Sequence, residues 1–435
     1  MGTMSVILLS LMLSQGATQE PPESEALPRS TGVEGVEPDA ALDFLTSWKA
    51  DREKLSDAGI SFNVNLTIDG GYNLTGGNQT GGFVIGLLDT AIQFDTKKLV
   101  GWDGGTILVR WQLYEESNPQ PYQLVNDYWG YESIDSRIGD LNQLSECYYK
   151  QNLFDDRMTI VFGKQDALNW FLNPLGSTGY FVSNVDTYPS TMVPFVPTYP
   201  DQAMGLVLMG KPTNWLELKT AWFDGTNAYS TNGSAPGSTG SLGPGSFFDN
   251  PGSWFFISEA DFSWAFDGGL EGNASMGAWF QTGPSTVVAT NTPPNQTVVD
   301  FNGGWYLQAT QRLFNPDPSA TTPRGVRLYS QLGWGDPSRN PANWSIAGGF
   351  AFDGPLPGRD RDSFGVSVGY TTFSDSPSVY QSTDGLYELV FEAYYNIAIT
   401  NWMSLQPDIQ VLTTPLNQSE LPTAVVGILR LSINF

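Results

Sequence analysis

Histidine is absent and cysteine occurs once, at Cys147, in a chain of 435 residues. The first absence removes histidine-ligated metal sites, Ser-His-Asp triads and Cys-His pairs together. The second removes an intramolecular disulfide framework. Carboxylates remain for acid–base chemistry, but no metal or cofactor is expected. Charge is also scarce: 15% of residues are Asp, Glu, Lys or Arg, against about 25% in soluble proteins. Cations are the scarcer sign, 20 Lys and Arg against 45 Asp and Glu, for a net charge of −25. Such a chain lacks the phosphate-neutralising surface that nucleic acid demands, so no nucleic-acid partner is expected. After the leader, no segment reaches the run of about 18 apolar residues that a membrane helix needs. Any membrane role must therefore use strands or the surface.

Aromatic residues make up 13% of the chain, with 47 glycines and 29 prolines, a balance that fits a turn-rich all-β protein. The N-terminus has an apolar run from Val6 to Leu13 followed by Gly16 and Ala17, and residues 1–17 read as a secretory signal, although no basic residue precedes the run. Residues 18–38, rich in Glu, Pro and Ser, read as a linker. Residues 39–58 read as a helix: Asp39 is a plausible N-cap, Ala41, Leu45, Trp48 and Leu55 share a face, and Gly59 ends it. Residues 59–435 then form one further unit without a composition break.

That unit opens with GISFNVNLTIDGG, where Ile60, Phe62, Val64, Leu66 and Ile68 alternate with Ser61, Asn63, Asn65, Thr67 and Asp69. One face of such a strand is apolar and the other wet. The pattern recurs: Trp111 and Leu113 against Arg110, Gln112 and Tyr114; Trp305 and Leu307 against Tyr306, Gln308 and Arg312; Leu389 and Phe391 against Glu388 and Glu392. About 16 strands, many near the length that crosses a bilayer when tilted, are expected; those over 82–94 and 202–210 alternate poorly. A soluble sandwich also alternates. However, Arg110, Arg327, Glu392 and Asp408 stand mid-strand on the polar face, which suits a water-filled lumen. Strands in hydrocarbon must close, because an open edge leaves backbone groups unpaired. The fold class expected is therefore all-β, a transmembrane antiparallel barrel with a short N-terminal helix. The last strand, VVGILRLSINF, alternates to a terminal Phe435, the form that outer-membrane barrels present to their assembly machinery.

These residues resemble the OprB-type carbohydrate-selective porins. The most specific match is YELVFEAYYNIAITNWMSLQPDIQVLTTP followed by AVVGILRLSINF, with Glu392, Tyr394, Tyr395, Leu405, Gln406, Pro407, Asp408, Gln410 and Pro415. RDSFGVSVGY (361–370), FGKQDALNWF (162–171) and LTSWKADREKLSDAGISF, leading into the first strand, are similar to other landmarks. The resemblance covers roughly residues 40–435; 225–253 and 284–300 read as loop insertions. It implies a 16-stranded bacterial outer-membrane barrel, passive to neutral saccharides, narrowed by inward loops that carry arginine, acidic and aromatic residues.

A sugar exposes C–H faces and hydroxyl groups, so a selective pore wants aromatic platforms beside charged or amide groups, binding weakly enough to release. Position and parity nominate Arg110, Arg312, Arg327, Glu388, Glu392 and Asp408 on the wall. The 165–201 loop is expected to fold inward with Asp166, Asn169, Trp170 and Phe171, and the 126–135 stretch with Asp127, Trp129 and Glu132. For each wall charge the alternative is pairing that merely stabilises the barrel; for each loop aromatic, packing of the loop. Trp111, Trp305 and Phe435 are expected in interfacial girdles. Asn-x-Ser/Thr sequons such as Asn73 and Asn273 read as chance products of an Asn- and Thr-rich sequence. The expected partners are neutral sugars, outer-membrane lipid and, through Phe435, the barrel-assembly machinery; a homo-oligomer stays open. A non-selective porin is the nearest alternative, and a secreted carbohydrate-active enzyme or a lectin the more distant ones.

Overall fold

The computed structural model describes residues 51–137, 139–172, 181–185, 196–225, 243–250, 252–288, 296–318, 324–340, 342–374, 387–415 and 421–434. Within it, antiparallel strands close into one 16-stranded barrel in which the first strand pairs with the last. In chain order they are β1 Ile60–Thr75, β2 Gly81–Asp95, β3 Gly105–Glu116, β4 Leu141–Leu153, β5 Met158–Gln165, β6 Ala203–Thr213, β7 Leu216–Asp224 and β8 Trp254–Phe266. The second half comprises β9 Leu270–Val288, β10 Gln296–Phe314, β11 Gly325–Gly335, β12 Ala342–Asp353, β13 Ser363–Phe373, β14 Tyr387–Ala398, β15 Met403–Thr413 and β16 Ala424–Asn434. Residues 51–57 are helical. The proposed leader, the linker, the rest of the N-terminal helix and Phe435 lie outside the described residues. Among the described residues no helix is long and apolar enough to cross a membrane; the strands are what can.

Alternation fixes the two faces. On β14, Glu388, Val390, Glu392, Tyr394 and Asn396 are buried inside, while Phe391 is exposed and Leu389 and Tyr395 half-buried on the outer wall. One rim carries tight turns, such as Asp267–Gly269 with φ of 81° at Gly268 and 71° at Gly269, a region glycine enters without steric cost. The turn after β2 is a short helix, Thr96–Val100, capped by Asp95 at one end and by left-handed Gly101 at the other. The opposite rim carries the long segments 117–140, 166–202 and 225–253. Short turns mark the periplasmic rim and long loops the outer one. Trp102, Phe154, Trp215 and Phe266 are exposed around the short-turn rim, as an interfacial girdle requires. Trp111 is likewise exposed on the outer wall and Trp305 half-buried there.

Two expectations need amendment. Residues 284–288 and 296–300 are strand, not loop insertion: β9 and β10 run on together, pairing Val288 with Gln296 and Thr286 with Val298. The poor alternation of β2 and β6 has a packing cause. Phe83 and Ile85 of β2 point inward and belong to one buried apolar cluster with Leu124, Val125 and Tyr131 of the 117–140 loop. Val207 of β6 belongs to a second, with Phe171 and Leu172 of the 166–202 loop. At these positions the lumenal face is apolar because a loop covers it.

Candidate functional site

Both inward loops are pinned by side chains of the far wall. The 117–140 segment leaves between β3 and β4 and reaches β14, where Glu388 accepts from Tyr128 N at 2.9 Å and Trp129 N at 2.9 Å. Gln410 Nε2 of β15 donates to Tyr131 O at 2.9 Å. The 166–202 segment leaves between β5 and β6 and runs past four other strands. Glu259 accepts from Leu172 N at 2.9 Å, and Gln308 Nε2 donates to Leu172 O at 3.1 Å. Gln331 Nε2 donates to Val185 O at 2.6 Å, and Glu392 accepts from Val182 N at 2.6 Å and from the Ser183 hydroxyl. The loops also hold each other: Ser133 N donates to Val182 O at 2.8 Å and Tyr199 OH to Ile134 O at 2.9 Å. Buried carboxylates and amides thus satisfy loop backbone that would otherwise be unpaired.

The nominated residues fall into three places. Arg110, Asp166, Asn169 and Trp170 come together midway along β3. Arg110, 28% exposed, pairs with Glu146 of β4 and lies 3.4 Å from Asp89 of β2. Asn169 Nδ2 donates to Glu146 at 2.7 Å, so the loop closes onto this pair. Asp166 caps the short helical turn Ala167–Asn169 by accepting from Leu168 N at 2.8 Å, and its other oxygen accepts from Tyr199 N at 3.1 Å. Burial pushes the Asp166 carboxyl above its ordinary range despite these donors and Arg110. Trp170 is half-buried, its ring edge-on to Tyr148 at 5.8 Å and its Nε1 donating to Gln165 at 2.8 Å. Around them stand Gln112, hydrogen-bonded to Asp89 at 2.8 Å, and Gln143.

Trp129, Glu392, Asp408 and Glu388 lie elsewhere, under the loops. Trp129 and Phe171 are 0% exposed and offer no surface to a solute. Trp129 lies over Gly369 of β13 and Val390 of β14, where a Cβ at Gly369 would come within 2.9 Å of its ring. Asp127 and Glu132 are buried as well. Burial raises both carboxyls, against Arg137 for Asp127 and against Arg430 for Glu132, which Asp69 pushes further up. Asp408, beside Glu392, accepts from Gln410 at 3.1 Å. Arg312 and Arg327 form the third place, directly opposite each other near the short-turn rim. Asp353 pairs with both, at 3.7 Å from Arg312 and 2.9 Å from Arg327. The sequon residue Asn73 is 0% exposed and donates to Gly76 O and Gln79 O, so it serves the turn after β1.

Parity missed Glu146 for a definable reason. The β3–β4 register shifts at Ser145, between the Arg110–Glu146 and Trp111–Leu144 pairs, so Ser145 and Glu146 are both buried. A bulge breaks the period-two rule at the residue that pairs with Arg110. Asp89, Asp353 and Arg430 obeyed that rule but had no local feature to mark them.

The family described as carbohydrate-selective porin, OprB family, matches residues 79–435. Porin B of Pseudomonas aeruginosa is 21% identical over 446 residues, covering 90% of this chain and 91% of that protein. The high-pH structure of Pseudomonas putida OprB superposes with a TM-score of 0.72 at 19% identity, covering 89% of this chain and 97% of that one. The low-pH structure of the same protein gives 0.55 at 17% identity, over 94% and 100%.

Proposed function

Since the chain belongs to the OprB family of carbohydrate-selective porins, a set of outer-membrane channels, we propose that its sugar path narrows at Arg110 and Asp89, with Asn169 and Trp170 beside them and buried Glu146 holding the group together. The channel and its preference for carbohydrate follow from the family; the residues are our reading. The observation that carries it is the partly exposed Arg110 held between two carboxylates, with the amide and the indole of the inward loop reaching the same point. Guanidinium, carboxylate and amide groups there can exchange hydrogen bonds with sugar hydroxyls, and Trp170 with Tyr148 offers ring surface to C–H faces. Arg110 set against two carboxylates leaves no bare cation to hold an anion, which suits a neutral solute.

Glu388, Glu392 and Asp408 fit a different task, holding the loops that shape the passage. Arg312 and Arg327, shared by Asp353, fit a wall pair at the exit. Planar-bilayer conductance titrated with glucose, maltose and uncharged solutes of similar size tests the assignment. Saturable sugar block is expected, and W170A should raise the half-blocking concentration about fivefold, the equivalent of roughly 1 kcal/mol of ring contact. R110A should weaken block and also alter ion selectivity. Unchanged block in both variants would move the constriction elsewhere on the wall, and no block in the wild type would leave a channel indifferent to these sugars.

A further inference from the structure

The long segment after β7 sends part of itself over the outside of the barrel. Residues Pro244–Phe248 form a short helix with proline at its first turn. Phe247 is buried, yet its neighbours are outer-wall side chains: Trp222 and Trp254 at 5.4 Å between ring centroids and Phe162 at 6.2 Å. Each of those alternates with inward residues, Trp222 lying between Ala221 and Phe223 and Trp254 preceding Phe255, all of them buried. The helix therefore lies against the membrane-facing side of the wall near the outer rim.

Its attachment is firm. Asn250 Nδ2 donates to Asp224 at 2.8 Å and to Ser253 O at 2.7 Å, while its oxygen accepts from Gly252 N and Ser253 N. With Phe247 docked, Phe248 is left 73% exposed and aimed away from the wall. A phenyl ring presented so openly on a tethered helix asks for an apolar environment.

We propose that this helix is an interfacial anchor that seats Phe248 in the hydrocarbon of the outer leaflet, just below its headgroups. The argument is continuity with the lipid-facing belt. The same outer face carries Phe256 stacked on Phe280 at 4.7 Å and Phe280 beside Phe301 at 6.4 Å, so the helix extends an existing aromatic band. The helix itself carries no basic residue in its last turn, and the nearby Lys164 is buried and interacts with Asp201. Acyl chains, rather than headgroup phosphates, are what this surface fits. The helix thereby turns an outer loop into a collar on the strands β5 to β8.

A single cysteine tests this in the full-length barrel: F248C on a C147S background, labelled with an environment-sensitive fluorophore and reconstituted into phosphatidylcholine vesicles. Quenching by spin labels near the headgroup end of the acyl chain should exceed quenching by mid-chain labels about twofold, as for a side chain some 5–10 Å below the boundary. Aqueous iodide should have little effect. Adding F247A should undock the helix and restore iodide quenching. Strong iodide quenching without lipid quenching in the parent variant would overturn the proposal. So would protection from both quenchers with label-to-label excimer signal, which would make a second copy of the chain the occupant.

Discussion

Glu388 shows how one buried side chain can set the shape of a passage. It is 0% exposed, and its carboxylate receives the N–H groups of Tyr128 and Trp129. E388A would strand those donors against the wall, at a cost of about 2–4 kcal/mol, whereas E388Q keeps one acceptor oxygen and should lose less. Noise in single-channel records reads the difference, since a freed 117–140 loop would move within the lumen and flicker; equal noise in both variants would dismiss the clamp. The same loop depends on a missing side chain. At Gly369 any Cβ would press on Trp129 and Val390, so G369V should lift the indole from the wall and lower conductance, with a stability loss of about 1–3 kcal/mol. An unchanged conductance would mean that the loop can re-pack.

At the level of elements, the inward loops hold carboxyls that titrate unusually. Asp127, Glu132 and Asp166 are all raised by burial. A carboxyl with a raised folded-state value binds its proton more tightly when folded. Its contribution is fully present below the unfolded value, near pH 4, and is lost as pH rises through the folded value. Loop attachment should therefore weaken as pH rises from about 4, the unfolded value, through the raised folded-state values, visible as a falling temperature of the heat-induced mobility shift. The fall should shrink in D127N and D166N; an identical pH slope in those variants would assign it to other groups. The elements also show what a sequence discloses. Strands such as β14 and β15 were legible because lipid imposes the outer face and Glu388, Glu392, Asp408 and Gln410 mark the inner one, even though Val390 and Leu412 pack there under a loop. β2 and β6 blurred because Phe83, Ile85 and Val207 pack on loops inside the barrel, contacts with no local signature. The convergence of Asn169 on Glu146 was hidden twice, by a long loop and by the bulge at Ser145.

For the molecule as a whole, closure is the decisive event, and one residue joins it to the interior. β1 and β16 meet with Asp69 opposite Arg430. Arg430 grips Asp69 at 2.9 and 2.7 Å and reaches Glu132 of the inward loop at 3.0 Å. The seam and the loop thus share a cation, with side chains 12%, 0% and 1% exposed for Arg430, Asp69 and Glu132. A one-residue slip of β16 would turn Arg430 toward hydrocarbon and leave both acids unpaired, so the contact specifies register as well as closure. R430M should destabilise the barrel by about 3–5 kcal/mol, because it leaves buried charge uncompensated. Replacing the whole group, as D69N/E132Q/R430M, should recover most of that loss, since the cost lies in the orphaned carboxylates and not in the absence of attraction. Heat-induced mobility shifts of the three proteins decide it: an R430M variant as stable as the wild type would mean that backbone pairing alone fixes the seam. A triple variant no better than R430M would instead mean that the guanidinium is needed for its shape, bridging two strands and a loop at once.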